Sequence, residues 1–400
     1  MVTLAKNIWR IPKLPKILTL LLLVTPLSCT LNNKVESEWA TLQSASSAKC
    51  EPWNQNDDVL SVEQVQVFGD KPFGFLTSVR LRNGQSAFDY ADFKQSLNIK
   101  PMIRREFGAS VDAISGFSDS KEVYTVASTG SKIEIRSMSD HVVRHTATGL
   151  PKDIRSINAH PVKDGVWLSF RAGDDETALE ELGYQFAYFP LNTGKTEVKL
   201  SYFPKTPVNT FQASIISNPT DSTVLVIWKP KDKNGRKFYI AQLDPSNKIS
   251  FEKKSIDVSA EHDVESWTAS HVPGGLLLTY VDGDSLIGQA NLKVLKLAWK
   301  DQYITSTWLK SKSLLNEHVS DPIGVHSSNK SFVLIPKWVD NESTIALYTI
   351  GEQGFENAEA VGVFPRGLRV MDAYWDNDIY ALIRFRQDRK WQFQLCRIDQ

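Results

Sequence analysis

Methionine, cysteine and net charge are all scarce in this chain. Its 400 residues hold 4 Met and 3 Cys, and 46 Lys plus Arg balance 46 Asp plus Glu. A chain without basic surplus cannot neutralise a run of phosphates, which excludes nucleic acid as a general partner. No apolar run reaches the roughly 20 residues that cross a bilayer as a helix. The G-x-S-x-G, G-x-G-x-x-G and P-loop patterns are absent, so neither a nucleophile elbow nor a phosphate-cradling loop is indicated, and no cofactor is implied. Helical periodicity is confined to a scrap at Glu176 to Gly183. What remains is ordinary globular material, 42% hydrophobic and 23% charged, whose 11 Trp, 11 Tyr and 19 Phe favour pleated, aromatic-rich packing.

The first residues have a different character. Lys6, Arg10, Lys13 and Lys16 precede the short apolar run Ile17 to Val24, the order of an export signal. Its end, Thr25-Pro-Leu-Ser-Cys29, resembles the lipobox of bacterial lipoproteins, with Pro26 where an aliphatic residue is usual. The resemblance implies cleavage after Ser28, a lipid on Cys29 and, with Thr30 next, the outer membrane of a Gram-negative envelope. A plain secretory signal with a free Cys29 is the alternative. In an exported chain an odd thiol needs an explanation, and lipid on Cys29 supplies one. Cys50 and Cys396 then stand at opposite ends of the mature chain, either as a disulfide in an oxidising compartment or as two buried thiols. The expected division is a signal over 1–28, a polar tether over 29–49 and the folded domain over 50–400.

That domain repeats itself. The segment "TASHVPGGLLLTY" (from Thr268) has relatives beginning at Val65, Ala113, Ile157, Ser214, Ile323 and Met371. Each joins a short strand to an alternating one through a polar or Gly/Pro/Asn/Asp turn. The marker positions Phe68, Phe117, His160, Asn218, His271, His326 and Trp375 are spaced by 49, 43, 58, 53, 55 and 49 residues. An all-β repeat of this period resembles the blades of a β-propeller. The resemblance implies four strands per blade and seven blades, with six or eight as the alternatives. The last repeat lacks one strand, which propellers often borrow from the N-terminus; Ser37 to Ala45 is the expected donor. Closure of this kind brings Cys50 near Cys396. Asn83-Gly84, Asn234-Gly235 and Asp282-Gly283 read as turns. No WD dipeptide at the expected place, kelch glycine pair or sialidase Asp box assigns a family.

Propeller topology gathers the loops that enter the innermost strands on one face, around the channel. Those loops supply Asp112, Arg155, Asp263, Glu265, Asp321, Arg369 and Asp372, a polar funnel suited to an anionic or sugar-like ligand with the arginines as forked donors, Asp112, Arg155, Glu265, Asp321 and Arg369 being the chosen site residues. Four of the seven histidines (His160, His271, His326 and, loosely, His141) fall at hairpin turns in different blades, too dispersed for one metal ion, and are expected to pack or hydrogen-bond there. Arg171 to Gln185 is a long loop rich in Asp and Glu, and Lys229 to Lys237 is a basic one. The expected role is a binding or scaffold module at the cell envelope, with a protein or glycan partner and the membrane reached through the lipid. The alternative is an extracellular hydrolase acting on a glycan-like substrate, with Glu265 and Asp321 as paired carboxylates.

Overall fold

The computed structural model describes residues 48–399 except 54–57, 69–73, 93–102, 109–110, 120, 174–176, 178–181, 192–196, 200–201, 204–209, 218–222, 231–236, 246–253, 258–263, 273–274, 285–288, 301–302, 309–311, 314–317, 328–329, 340–341, 352–353 and 388–389. Among the described residues seven sheets of four or five strands follow one another along the chain, antiparallel throughout except for one added parallel strand. The innermost strands are Val59–Phe68, Ala113–Ser118, Ile154–Val162, Thr210–Ser217, Val264–Val272, Ile323–His326 (with the short His318–Val319 before it) and Arg369–Asp376, in blades 1 to 7. Each inner strand contacts those of both neighbours, and the cycle closes from blade 7 to blade 1. The fold is therefore a seven-bladed β-propeller with four-stranded blades.

Alternation along each strand makes the ring cohere, because successive side chains turn to opposite neighbours. In blade 3, Val166, Leu168 and Phe170 pack with blade 2, while Trp167 packs with Trp228 of blade 4. Comparable apolar clusters bridge blades 4 and 5, 5 and 6, 6 and 7, 7 and 1, and 1 and 2. Near the channel the approach is closer still. A Cβ on Gly116 would lie 2.0 Å from Leu76 Cδ2 of blade 1 and 2.9 Å from the Tyr124 carbonyl oxygen, so glycine is the residue this contact admits.

The last blade has only three strands from the C-terminal repeat, Arg369–Asp376, Asp378–Gln387 and Lys390–Ile398. Its fourth is Ala48–Trp53, antiparallel to Lys390–Ile398. The borrowed strand thus lies downstream of Ser37 to Ala45, which falls outside the described residues. The reason is alternation: Ala48 and Cys50 pack against the core between blades 6 and 7, while Lys49 and Glu51 stay in water. Cys50 stands directly opposite Cys396 and is joined to it by a disulfide, with the Cα atoms 4.1 Å apart.

Two further details depart from expectation. Asp282-Gly283 is no turn but part of the strand Gly275–Asp284, paired with Asn291 and Ala290. The Asp282 carboxylate is buried against Lys293 Nζ at 2.5 Å, and that ion pair holds the dipeptide in the sheet. In blade 3 the chain after Gln185–Pro190 crosses to blade 2, where Glu197–Lys199 adds a parallel strand to Val143–Thr148 before returning as Tyr202–Phe203. This crossing covers the outer edge of blade 2, an edge that would otherwise offer unpaired backbone groups.

Candidate functional site

The inner strands begin on one face, and five of the seven share an irregularity there. In blades 1, 3, 4, 5 and 7 the register with the second strand slips by one residue, leaving Leu60, Arg155, Phe211, Glu265 and Met371 without a direct partner. A bulge of this kind bends the strand and re-aims the extra side chain at the sheet rim. Arg155 and Glu265, read from sequence as funnel charges, both occupy bulge positions. Asp112 and Asp321 lie just before inner strands, and Arg369 begins one.

These five residues do not all converge. Arg155 is half-buried in blade 3, where its Nη1 donates to the Thr177 carbonyl. Thr177 belongs to the acidic loop, whose Asp and Glu residues lie outside the described set, as do residues 231–236 of the basic one. Asp112 is exposed, and its Oδ2 accepts a hydrogen bond of 2.7 Å from the Gly130 N–H in its own blade. The side chain of Glu265 is outside the description.

Asp321 and Arg369 do come together. Arg369 Nη1 lies 4.0 Å from Asp321 Oδ2, and Ser266, the residue after Glu265, donates through Oγ to Asp321 Oδ1 at 2.7 Å. The ion pair is open to water, with side chains 57% and 64% exposed. Such pairs are worth about 0–1 kcal/mol, so fold stability does not account for this one. Together the three residues join blades 5, 6 and 7 around a cleft of about 220 Å³, also lined by Val281, Gly283, Val319, Ser320 and Trp338. Trp338 stacks on His318 with ring centroids 6.0 Å apart and an interplanar angle of 8°.

Arg384 stands directly opposite Arg369 in the antiparallel pair of blade 7. Burial and then the charge of Arg369 push its guanidinium below the usual arginine value. Like charges directly opposite each other destabilise a sheet.

Ser266, Trp338 and Arg384 were not legible as site residues. Trp338 ends an apolar run and reads as core, while Ser266 and Arg384 carry no motif. Only the repeat register, which sets Ser266 one step past the bulge and Arg384 opposite the first inner residue, would have found them.

Two of the described histidines serve the fold. His160 Nε2 lies 3.0 Å from Ser169 Oγ, and His326 Nδ1 lies 3.0 Å from Ser331 Oγ, each tying the inner strand to the second. Among the described residues no three His, Cys, Asp or Glu side chains gather where they could share a metal ion. Burial pushes His160 down to about 4 from the usual 6.5. Below pH 6.5 the unfolded chain takes up a proton that the folded chain refuses until pH nears 4. This residue therefore lowers stability as pH falls through that window, by up to about 3 kcal/mol at its acid end. Comparing urea midpoints of wild type and His160→Gln from pH 7 to pH 4 checks this: the wild type should lose more, and parallel curves would refute the assignment.

No protein-family model matches the chain, and no curated protein matches it in sequence. In fold it is similar to the β-propeller domain of Cps50 (Swd1) from Myceliophteria thermophila, with a TM-score of 0.52 and 9% identity over 87% of this chain and 99% of that one. It is also similar to hydrazine synthase from Kuenenia stuttgartiensis, with a TM-score of 0.51 and 13% identity over 82% of this chain and 94% of that one. At such identities the likeness shows the propeller fold alone, and function has to be argued from the site.

Proposed function

We propose that the protein is an exported, lipid-anchored propeller that acts as a binding module at the cell envelope, with the cleft between blades 5, 6 and 7 as its receptor site. The observation that carries this reading is the exposed Asp321–Arg369 pair. Charged groups from separate blades meet in a concave site on one face, where ligands of propeller rims settle. Export and anchoring are supported by the basic and apolar segments before Cys29, and a disulfide between Cys50 and Cys396 fits an oxidising compartment.

Crosslinking capture from intact cells tests the reading. Wild type should retain a partner that Arg369→Glu loses, while Arg155→Glu, altered in blade 3 away from the cleft, should retain it. Equal capture by wild type and Arg369→Glu would rule out the cleft. Cys29→Ser should move the protein from the membrane pellet to the soluble envelope fraction; a variant that stays in the pellet would rule out the lipid anchor.

A further inference from the structure

Independently of the cleft at blades 5, 6 and 7, we infer that Cys50 is a thiol-exchange site, where a small external thiol forms a mixed disulfide in place of the ring-closing bridge. The two sulfurs of that bridge have unequal surroundings. Cys396 is fully buried in the core between blades 6 and 7, whereas Cys50, on the borrowed outer strand, is only half-buried. A cleft of about 450 Å³ lies beside Cys50, between the end of the outer strand of blade 6, Gly354–Pro365, and the strands of blade 7. Val363, Phe364, Phe385, Gln387 and Gln394 line it together with Cys50, and Cys396 is not among its described lining residues. Exchange depends on access to the sulfur attacked, so an external thiolate meets Cys50 and not Cys396.

The cleft also sets the class of thiol. None of its described lining residues is charged, so an anionic thiolate meets no fixed charge of either sign on that wall. Val363 is 68% exposed, and the cleft opens to water there. Its volume lies within the ~300–1,000 Å³ of small-ligand pockets, which is room for a thiol of tripeptide size. In the exchange the external thiolate attacks Cys50 Sγ, a new S–S bond forms there, and the bond to Cys396 breaks. The electron pair leaves on Cys396 Sγ, which takes the proton that the incoming thiol gave up, so no net oxidation or reduction occurs. Cys396 stays directly opposite Cys50 in the strand pair, and its attack on the mixed disulfide restores the bridge. While the adduct lasts, Ala48–Trp53 has no covalent tie to blade 7.

Glutathione chemistry on the purified Cys29→Ser protein tests this. Cys396→Ala and Cys50→Ala in that background leave one thiol each. With glutathione disulfide, Cys50 in folded Cys396→Ala should be modified at least about a hundredfold faster than Cys396 in folded Cys50→Ala, as read by intact mass. A second experiment keeps the bridge and needs neither variant. The folded parent, incubated with reduced glutathione and quenched in acid, should give a first adduct that maps to Cys50. The inference is overturned if that adduct maps to Cys396, if the two single thiols react within about threefold of each other, or if Cys50 takes up glutathione in neither experiment.

Discussion

Replacing Cys50 or Cys396 with Ser should each cost about 2–5 kcal/mol, and replacing both should cost little more than either alone. The bridge closes a loop of 346 residues in sequence separation, for which loop-closure entropy alone approaches ~6 kcal/mol; native bridges commonly deliver less. The site matters as much as the loop. Cys50 lies in the one strand that joins the beginning of the domain to its last blade, so the covalent bond and the six-residue pairing Ala48–Trp53 with Lys390–Ile398 hold the ring together. Urea midpoints measured in a Cys29→Ser background isolate the effect from the third thiol. Hydrogen exchange in the single variants should rise first in these two strands. Additive losses in the double variant, or two titratable thiols in the unreduced, unfolded Cys29→Ser protein, would show that the bridge is not what closes the ring.

The inner hairpins of all seven blades were legible because they combine the two strongest signals a strand pair can carry, a turn with its own chemistry and a buried alternating strand behind it. Some outer strands were not: Tyr202–Phe203 is too short to show a period, and Ala48–Trp53 alternates small residues against charges rather than bulky apolar ones. Asp282-Gly283 misled for the opposite reason. Its turn chemistry is sound, but a buried ion pair to Lys293 outweighs it.

The site divides in the same way. Asp321 and Arg369 were legible as charges beside inner strands, since such placement costs energy unless water or a partner compensates. Their meeting was not legible, because it depends on how neighbouring blades turn about the channel. Arg155 looks equivalent in sequence, yet its guanidinium is engaged by the Thr177 carbonyl. Two arginines with one apparent role therefore separate into a tether and a cleft residue.

Arg104→Leu should destabilise the protein by about 3–5 kcal/mol, the range for stripping a buried charge of its partner. Arg104, on the outer strand Ile103–Phe107 of blade 1, holds Asp89 in a two-point contact of 2.6 and 2.7 Å. Asp89 is 4% exposed, so its carboxylate cannot turn to water when the guanidinium is removed. A third bond, 2.6 Å from Arg104 Nη1 to Asp58, reaches the chain just before the inner strand. One side chain thus spans the blade from its rim to the channel side, and these contacts hold its guanidinium above the usual arginine range. Arg144→Ala provides the contrast: its pair with Asp140 is 41% and 45% exposed and should cost less than about 1 kcal/mol. Replacing Asp89 and Arg104 together with Leu should recover much of the loss, because the penalty comes from the orphaned charge more than from the missing bond. Urea midpoints of the two singles and the double decide it. If Arg104→Leu falls within 1 kcal/mol of wild type, or the double is as unstable as the single, Asp89 does not depend on Arg104 and the blade is held by its apolar clusters alone.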